Sequence, residues 1–130
     1  MILLVAFNGS KPSQKAVDLA IRRAGILNAT IHVVYSMSEG TQEQMKEIDE
    51  AEAELQAVKK QIDDAAIPCE SHLLIRGMEP WQDIIEYASD RKVDEIIIGL
   101  KKRSRVGKLL FGSNAQHIIL EAPCPVVTTR

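Results

Sequence analysis

Aromatic side chains are scarce in this chain, at 4% of 130 residues, and their scarcity removes the stacking platforms on which single-stranded nucleic acids are held. With one Trp, two Tyr and two Phe, the core has to be built from aliphatic side chains. Cysteine is nearly absent as well. Cys69 and Cys124 form no CxxC pair and show no metal-ligand spacing, so they read as free structural thiols of a reducing compartment. No apolar run approaches the ~18 residues of a membrane span, and the opening MILLVAF lacks the basic flank of a secretion signal. These absences predict a cytoplasmic protein without a membrane contact, in which the sequons Asn8-Gly9-Ser10 and Asn28-Ala29-Thr30 have no role.

What is present is an ordinary soluble composition, 45% hydrophobic and 26% charged, sufficient for one domain over residues 1–130. Apolar runs and helical periodicities alternate along it. Strands are expected at Ile2 to Phe7, Thr30 to Tyr35, Cys69 to Ile75, Asp94 to Ile98 and Val126 to Thr129. Helices are expected from Ser10, as cap, to about Leu27, from Thr41 to Ala66, from Glu79 to Arg91 and from Ser113 to Glu121. In the second helix Met45, Ile48, Ala51, Leu55, Val58 and Ile62 recur three or four apart, and in the third Trp81, Ile84, Ile85 and Ala88 face inward. Strands alternating with helices imply right-handed βαβ units, hence an open, Rossmann-like α/β fold with a five-stranded parallel sheet and helices on both faces. Ligands of such sheets sit beyond the carboxyl ends of the strands where the strand order reverses. If the first and fourth strands are neighbours there, Asn8-Gly9-Ser10 and Gly99 line one crevice.

The stretch from Gly99 to Arg130 has the order of an anion pocket. Ile96, Ile97 and Ile98 end a strand, and Gly99 is expected to let the backbone leave the sheet at a dihedral that other residues disfavour. Lys101, Lys102, Arg103, Arg105 and Lys108 follow; without these five cations the formal charge of −2 would fall to −7, so the positive charge is local. Gly112-Ser113 then opens a helix, with Ser113 expected as N-cap and Gln116 completing a capping box. A helix start of this kind presents unpaired N–H groups and a positive dipole end, for which phosphate is the natural guest.

These residues resemble the universal stress protein family over essentially the whole chain. In its nucleotide-binding members a strand is followed by Gly, two residues, Gly, nine residues, then Gly with Ser or Thr. Here the pattern reads Gly99, Leu100-Lys101, Lys102, nine residues, Gly112-Ser113, followed by the family-like ending EAPCPVV. The second glycine is therefore Lys102. A further departure is Asn8, where the family usually carries an Asp that holds the adenosine end of ATP. The resemblance implies an adenine nucleotide alpha hydrolase-like sheet of order 3-2-1-4-5, with ATP or AMP as ligand; whether magnesium accompanies the phosphates stays open. It implies that Ala6, Asn8, Ser10, Val33, Ile98, Gly99, Lys102, Arg103, Gly112, Ser113 and Asn114 border the nucleotide. Val33 would meet adenine through its main chain, and Ser113 and Asn114 would offer N–H groups to phosphate. It also implies a homodimer through the last strand, Val126 to Thr129, and a role in stress response exercised through partners. The alternative is a dimeric interaction protein of the same fold that binds no nucleotide, which Asn8 and Lys102 favour.

Other chemistries find no support. Gly107-Lys108 lacks the GxxxxGK[ST] spacing of a phosphate loop. His32, His72 and His117 lie on separate elements without metal-ligand spacing and read as structural or surface residues. Ser10 and Ser113 have no His and Asp partners for a hydrolase triad, and no base for ATP hydrolysis or phosphotransfer is identifiable. The acidic run EIDEAEAE, Glu47 to Glu54, reads as a solvated helix face. The net acidic balance offers no footprint for nucleic acid.

Overall fold

The computed structural model describes residues 1–101 and 112–130. Five parallel strands, β1 (Ile2–Ala6), β2 (Thr30–Met37), β3 (Cys69–Ile75), β4 (Glu95–Gly99) and β5 (Val126–Thr129), form one sheet in the order β3-β2-β1-β4-β5. The expected neighbourhood of β1 and β4 is therefore real, with Leu3 paired to Glu95 and Val5 to Ile97. Strand alternation sends the side chains into two layers. Leu3, Val5, Ile31, Val33 and Ile97 meet α1 (Lys11–Leu27) and α2 (Met45–Asp64) on one face. Leu4, Val34, Ile96 and Ile98 meet α3 (Pro80–Asp90) and α4 (Ser113–Glu121) on the other.

Local chemistry sets the helix ends. Ser10 caps α1, its Oγ accepting the Ser13 N–H at 3.2 Å, with Pro12 in the first turn where its missing N–H costs nothing. At the other end Asn28 closes the helix in the left-handed region, φ 53°. The second helix is shorter than its periodicity suggests. A 3-10 turn at Gln42–Gln44 precedes it, Met45 is half exposed, and the helix stops at Asp64 because Ala66 adopts φ 60°. Strand ends also differ from expectation by one or two residues: β1 stops at Ala6, β2 runs on to Met37, and β4 starts at Glu95 and includes Gly99.

Candidate functional site

Above the carboxyl ends of β1 and β4 lies a cleft of about 730 Å³. Ala6 and Asn8 line it from β1, Ser10, Lys11, Pro12 and Ser13 from the start of α1, and Ile98, Gly99 and Lys101 from β4. Gly112, Ser113, Asn114, Ala115 and Ile118 close it from α4. Eight of the residues singled out in the sequence therefore converge: Ala6, Asn8, Ser10, Ile98, Gly99, Gly112, Ser113 and Asn114. Val33 does not line the cleft; its side chain is fully buried in the core against α1 and α2. Lys102 and Arg103, together with Arg105 and Lys108, lie outside the described residues. Lys11, Pro12, Ser13, Ala115 and Ile118 join the site without having been singled out. Lys11 and Ser13 follow from the crossover that places the start of α1 above the β1–β4 junction.

The two helix starts at the cleft differ chemically. In α1 the Ser10 side chain satisfies Ser13 N–H and the Ser10 carbonyl satisfies Gln14 N–H, so that end is closed by its own cap. In α4 the expected capping box does not form. Gly112, not Ser113, is the N-cap, no side chain among the described residues caps the helix, and the first intrahelical bond runs from Gln116 N–H to the Gly112 carbonyl. The reason is one residue of phase: Ser113 has already entered the helix, where its hydroxyl cannot reach the amides it would cap. Ser113, Asn114 and Ala115 thus present main-chain N–H groups with no intrahelical acceptor, in the orientation that suits an anion. Asn114 is itself held, its Oδ1 accepting Trp81 N–H at 3.3 Å, which ties this helix start to α3.

The two glycines of the frame serve different ends. Gly99 was expected to adopt an unusual dihedral; it is extended strand, and positive φ among the glycines occurs only at Gly9 and Gly77 within the described residues. A Cβ on Gly99 would instead overlap the carbonyl of Pro12, so glycine there lets α1 approach β4. Gly112, at φ −62° and ψ 159°, adopts a backbone open to any residue, and a Cβ there would meet no atom of the described residues within 4 Å. Gly112 itself lines the cleft.

At the β1 exit Asn8 forms a turn whose Oδ1 accepts Ser10 N–H at 3.1 Å. Its carbonyl accepts the Tyr35 hydroxyl at 3.2 Å. Burial, reinforced by Glu54, Glu47 and Glu50 of α2, pushes the Tyr35 phenol up from its ordinary value, so it remains a donor at neutral pH. Neither thiol behaves as a nucleophile: burial pushes Cys69 up to about 11 and raises Cys124 as well. Among the described residues no group of His, Cys, Asp and Glu has the arrangement of a metal site.

A doubly wound parallel sheet with a cleft at its topological switch point defines an α/β protein of the Rossmann-like class. The model of the universal stress protein family matches residues 1–130, and the chain belongs to that family. A universal stress protein of Thermus aquaticus is 28% identical over 98% of this chain and 97% of its own length. Among solved structures, a universal stress protein from Archaeoglobus fulgidus superposes with a TM-score of 0.87 at 32% identity, covering 99% of this chain and 97% of that one. A universal stress protein of the same organism in complex with dAMP gives 0.81 at 28% identity, covering 99% and 96%.

Proposed function

We propose that this protein binds an adenine nucleotide, ATP or AMP, in the cleft between β1, β4 and α4. The observation that carries this reading is the uncapped start of α4, where the N–H groups of Ser113, Asn114 and Ala115 open onto a space that Gly112 leaves clear. Phosphate on those groups satisfies donors that have no acceptor among the described residues. Lys101 and Lys11 line the same cleft and add positive charge. The dAMP complex of a 28% identical family member supports the same class of ligand. The nucleotide acts as an effector: it orders the anion frame and shifts the population of a surface that partner proteins recognise in a cytoplasmic stress response.

The second reading, a family member that binds no nucleotide, has a specific observation behind it: Asn8 stands where the family usually carries an acidic side chain. Mass spectrometry of the small molecules released when the purified protein is denatured separates the two, backed by calorimetric titration with ATP and AMP. An adenine nucleotide in the released fraction, or saturable heat, is the expected result. No nucleotide and no saturable heat at millimolar ligand would remove the first reading. On either reading we expect a homodimer, because β5 (Val126–Thr129) stands at the sheet edge, hydrogen-bonded to β4 alone in that sheet, and such an edge needs covering. Light scattering after size-exclusion chromatography should give twice the 14.4 kDa chain mass; monomer alone at micromolar concentration would contradict it.

A further inference from the structure

Among the described residues, Asn8 is engaged through every polar group it has but Nδ2. Its main-chain N–H donates to Ser13 Oγ at 3.3 Å, its carbonyl accepts from the Tyr35 hydroxyl at 3.2 Å, and its Oδ1 accepts Ser10 N–H at 3.1 Å. The last bond fixes which way the amide points, because an N–H needs an oxygen partner. The Nδ2 group, two donors and no acceptor, is what this side chain has left for the cleft that it lines. A carboxylate in the same turn would give one oxygen to Ser10 N–H and turn a second, charged acceptor toward the ligand. Asn8 replaces that acceptor with a donor in the same place and of nearly the same shape.

The placement decides which part of a nucleotide meets it. Phosphate on the α4 amides lies beyond β4, and Asn8 lies in the turn after β1, the next strand over, so Asn8 faces the nucleoside. An acidic side chain at such a position marks a free ribose diol, whose hydroxyls donate to it, and repels a ribose phosphate. A donor finds only neutral hydroxyl acceptors on a free diol, whereas a ribose phosphate offers it a charge-assisted bond. Lys11 lines the cleft on the same side. The carboxylate of Glu54 lies against Gly9 on the other flank of the turn and is not part of the cleft wall.

Building on the nucleotide reading above, we infer that Asn8 sets the selectivity of the site, favouring adenine nucleotides that carry a 2′- or 3′-phosphate on the ribose over those with a free diol. Calorimetric titration of the wild type and of Asn8→Asp with AMP, adenosine 2′,5′-bisphosphate and adenosine 3′,5′-bisphosphate tests this. The wild type should bind at least one bisphosphate about tenfold more tightly than AMP, as expected for a charge-assisted bond replacing a neutral one. Added phosphate charge favours a bisphosphate at any basic cleft, so the decisive quantity is the change in this ratio. Asn8→Asp, which keeps the turn to Ser10, should reverse the ratio by strengthening AMP and weakening the bisphosphate. A ratio that stays within twofold of the wild type would overturn the inference while leaving nucleotide binding intact. Absence of saturable heat with all three ligands, in both proteins, would overturn the nucleotide reading and this inference with it. A dispersed amide spectrum of Asn8→Asp shows that a lost interaction is not lost folding, and in the wild type the Asn8 Nδ2 resonance should shift on adding the tighter bisphosphate.

Discussion

Gly99 and Pro12 touch backbone to backbone: the place a Cβ of Gly99 would occupy is taken by the Pro12 carbonyl. The first turn of α1 is thereby pressed onto the end of β4, and the cleft exists because these two elements converge. Gly112 stands across the same cleft with no described residue within 4 Å of the place its Cβ would take. The two glycines should therefore separate stability from binding. Gly99→Ala should cost about 3 kcal/mol, since backbone cannot yield as a flexible side chain would. Gly112→Val should unfold at the wild-type denaturant concentration yet bind AMP at least about tenfold more weakly. Urea denaturation together with calorimetry checks both; equal loss of stability in the two variants would refute the distinction.

Asp83 is fully buried and bonded to both Arg76 and Ser36. Its Oδ1 accepts Arg76 Nε at 2.6 Å and its Oδ2 accepts Ser36 Oγ at 2.8 Å. These bonds hold the loop after β3 and the end of β2 against α3. Arg76→Met leaves a buried carboxylate without its cation and should destabilise by about 3 kcal/mol, the low end for a broken buried pair because Arg76 is partly exposed. Adding Asp83→Leu should restore much of that loss. A double variant less stable than Arg76→Met by denaturant unfolding would contradict this.

The fold was legible in the sequence because the β strands and helices carry unmixed periods, and because the β1–β4 junction follows from topology once the units alternate. Finer features depended on contacts that no local pattern encodes. Gly99 reads as a turn residue from its position, whereas its reason is a neighbour 87 positions away in the chain. Asp83 was not singled out in the sequence, because its partners Ser36 and Arg76 come to it only through β2 and the loop after β3. His32 and His72 looked unrelated; the β2–β3 register sets Glu70 opposite His32, and its two oxygens meet the two imidazoles at 3.2 and 3.1 Å. Of the residues expected at the site, those on strand ends and helix starts line the cleft, because sheet topology dictates where they lie. Val33, expected to act through its main chain, is not among the lining residues, and its side chain lies in the core.

His32 should make the core acid-sensitive. It is 3% exposed, its Nδ1 is 2.8 Å from the Tyr87 hydroxyl, and its other neighbours are Glu70 and His72 of β3 and Arg91 at the end of α3. Burial lowers its pKa from the ordinary 6.5 and outweighs the opposing pull of Glu70. The unfolded chain then binds this proton more readily than the folded one, so stability rises with pH across the window. The contribution is complete above about 6.5 and declines as pH falls toward the lowered value of the folded state. The Glu70 carboxyl is also held below its ordinary value, first by the His72 hydrogen bond, and its contribution is likewise lost on further acidification. Urea midpoints should fall between pH 7.5 and 5.5, and His32→Leu should flatten that slope. An identical slope in the variant would show that His32 is not the group responsible.

Ala66 holds φ 60° at the exit of α2, a conformation that strains any residue with a Cβ. Ala66→Gly should stabilise the fold by about 1 kcal/mol, the relief of strain exceeding the added flexibility of the unfolded chain. A lower urea midpoint in this variant would contradict the assignment of strain to that site.

The account turns on whether the open start of α4 takes a phosphate. Backbone amide resonances recorded during titration with AMP report on this directly. Saturable shifts of Ser113, Asn114 and Ala115, larger than those of the self-capped Ser13 and Gln14, are the predicted result. A titration to millimolar AMP in which the three α4 amides do not move would contradict it.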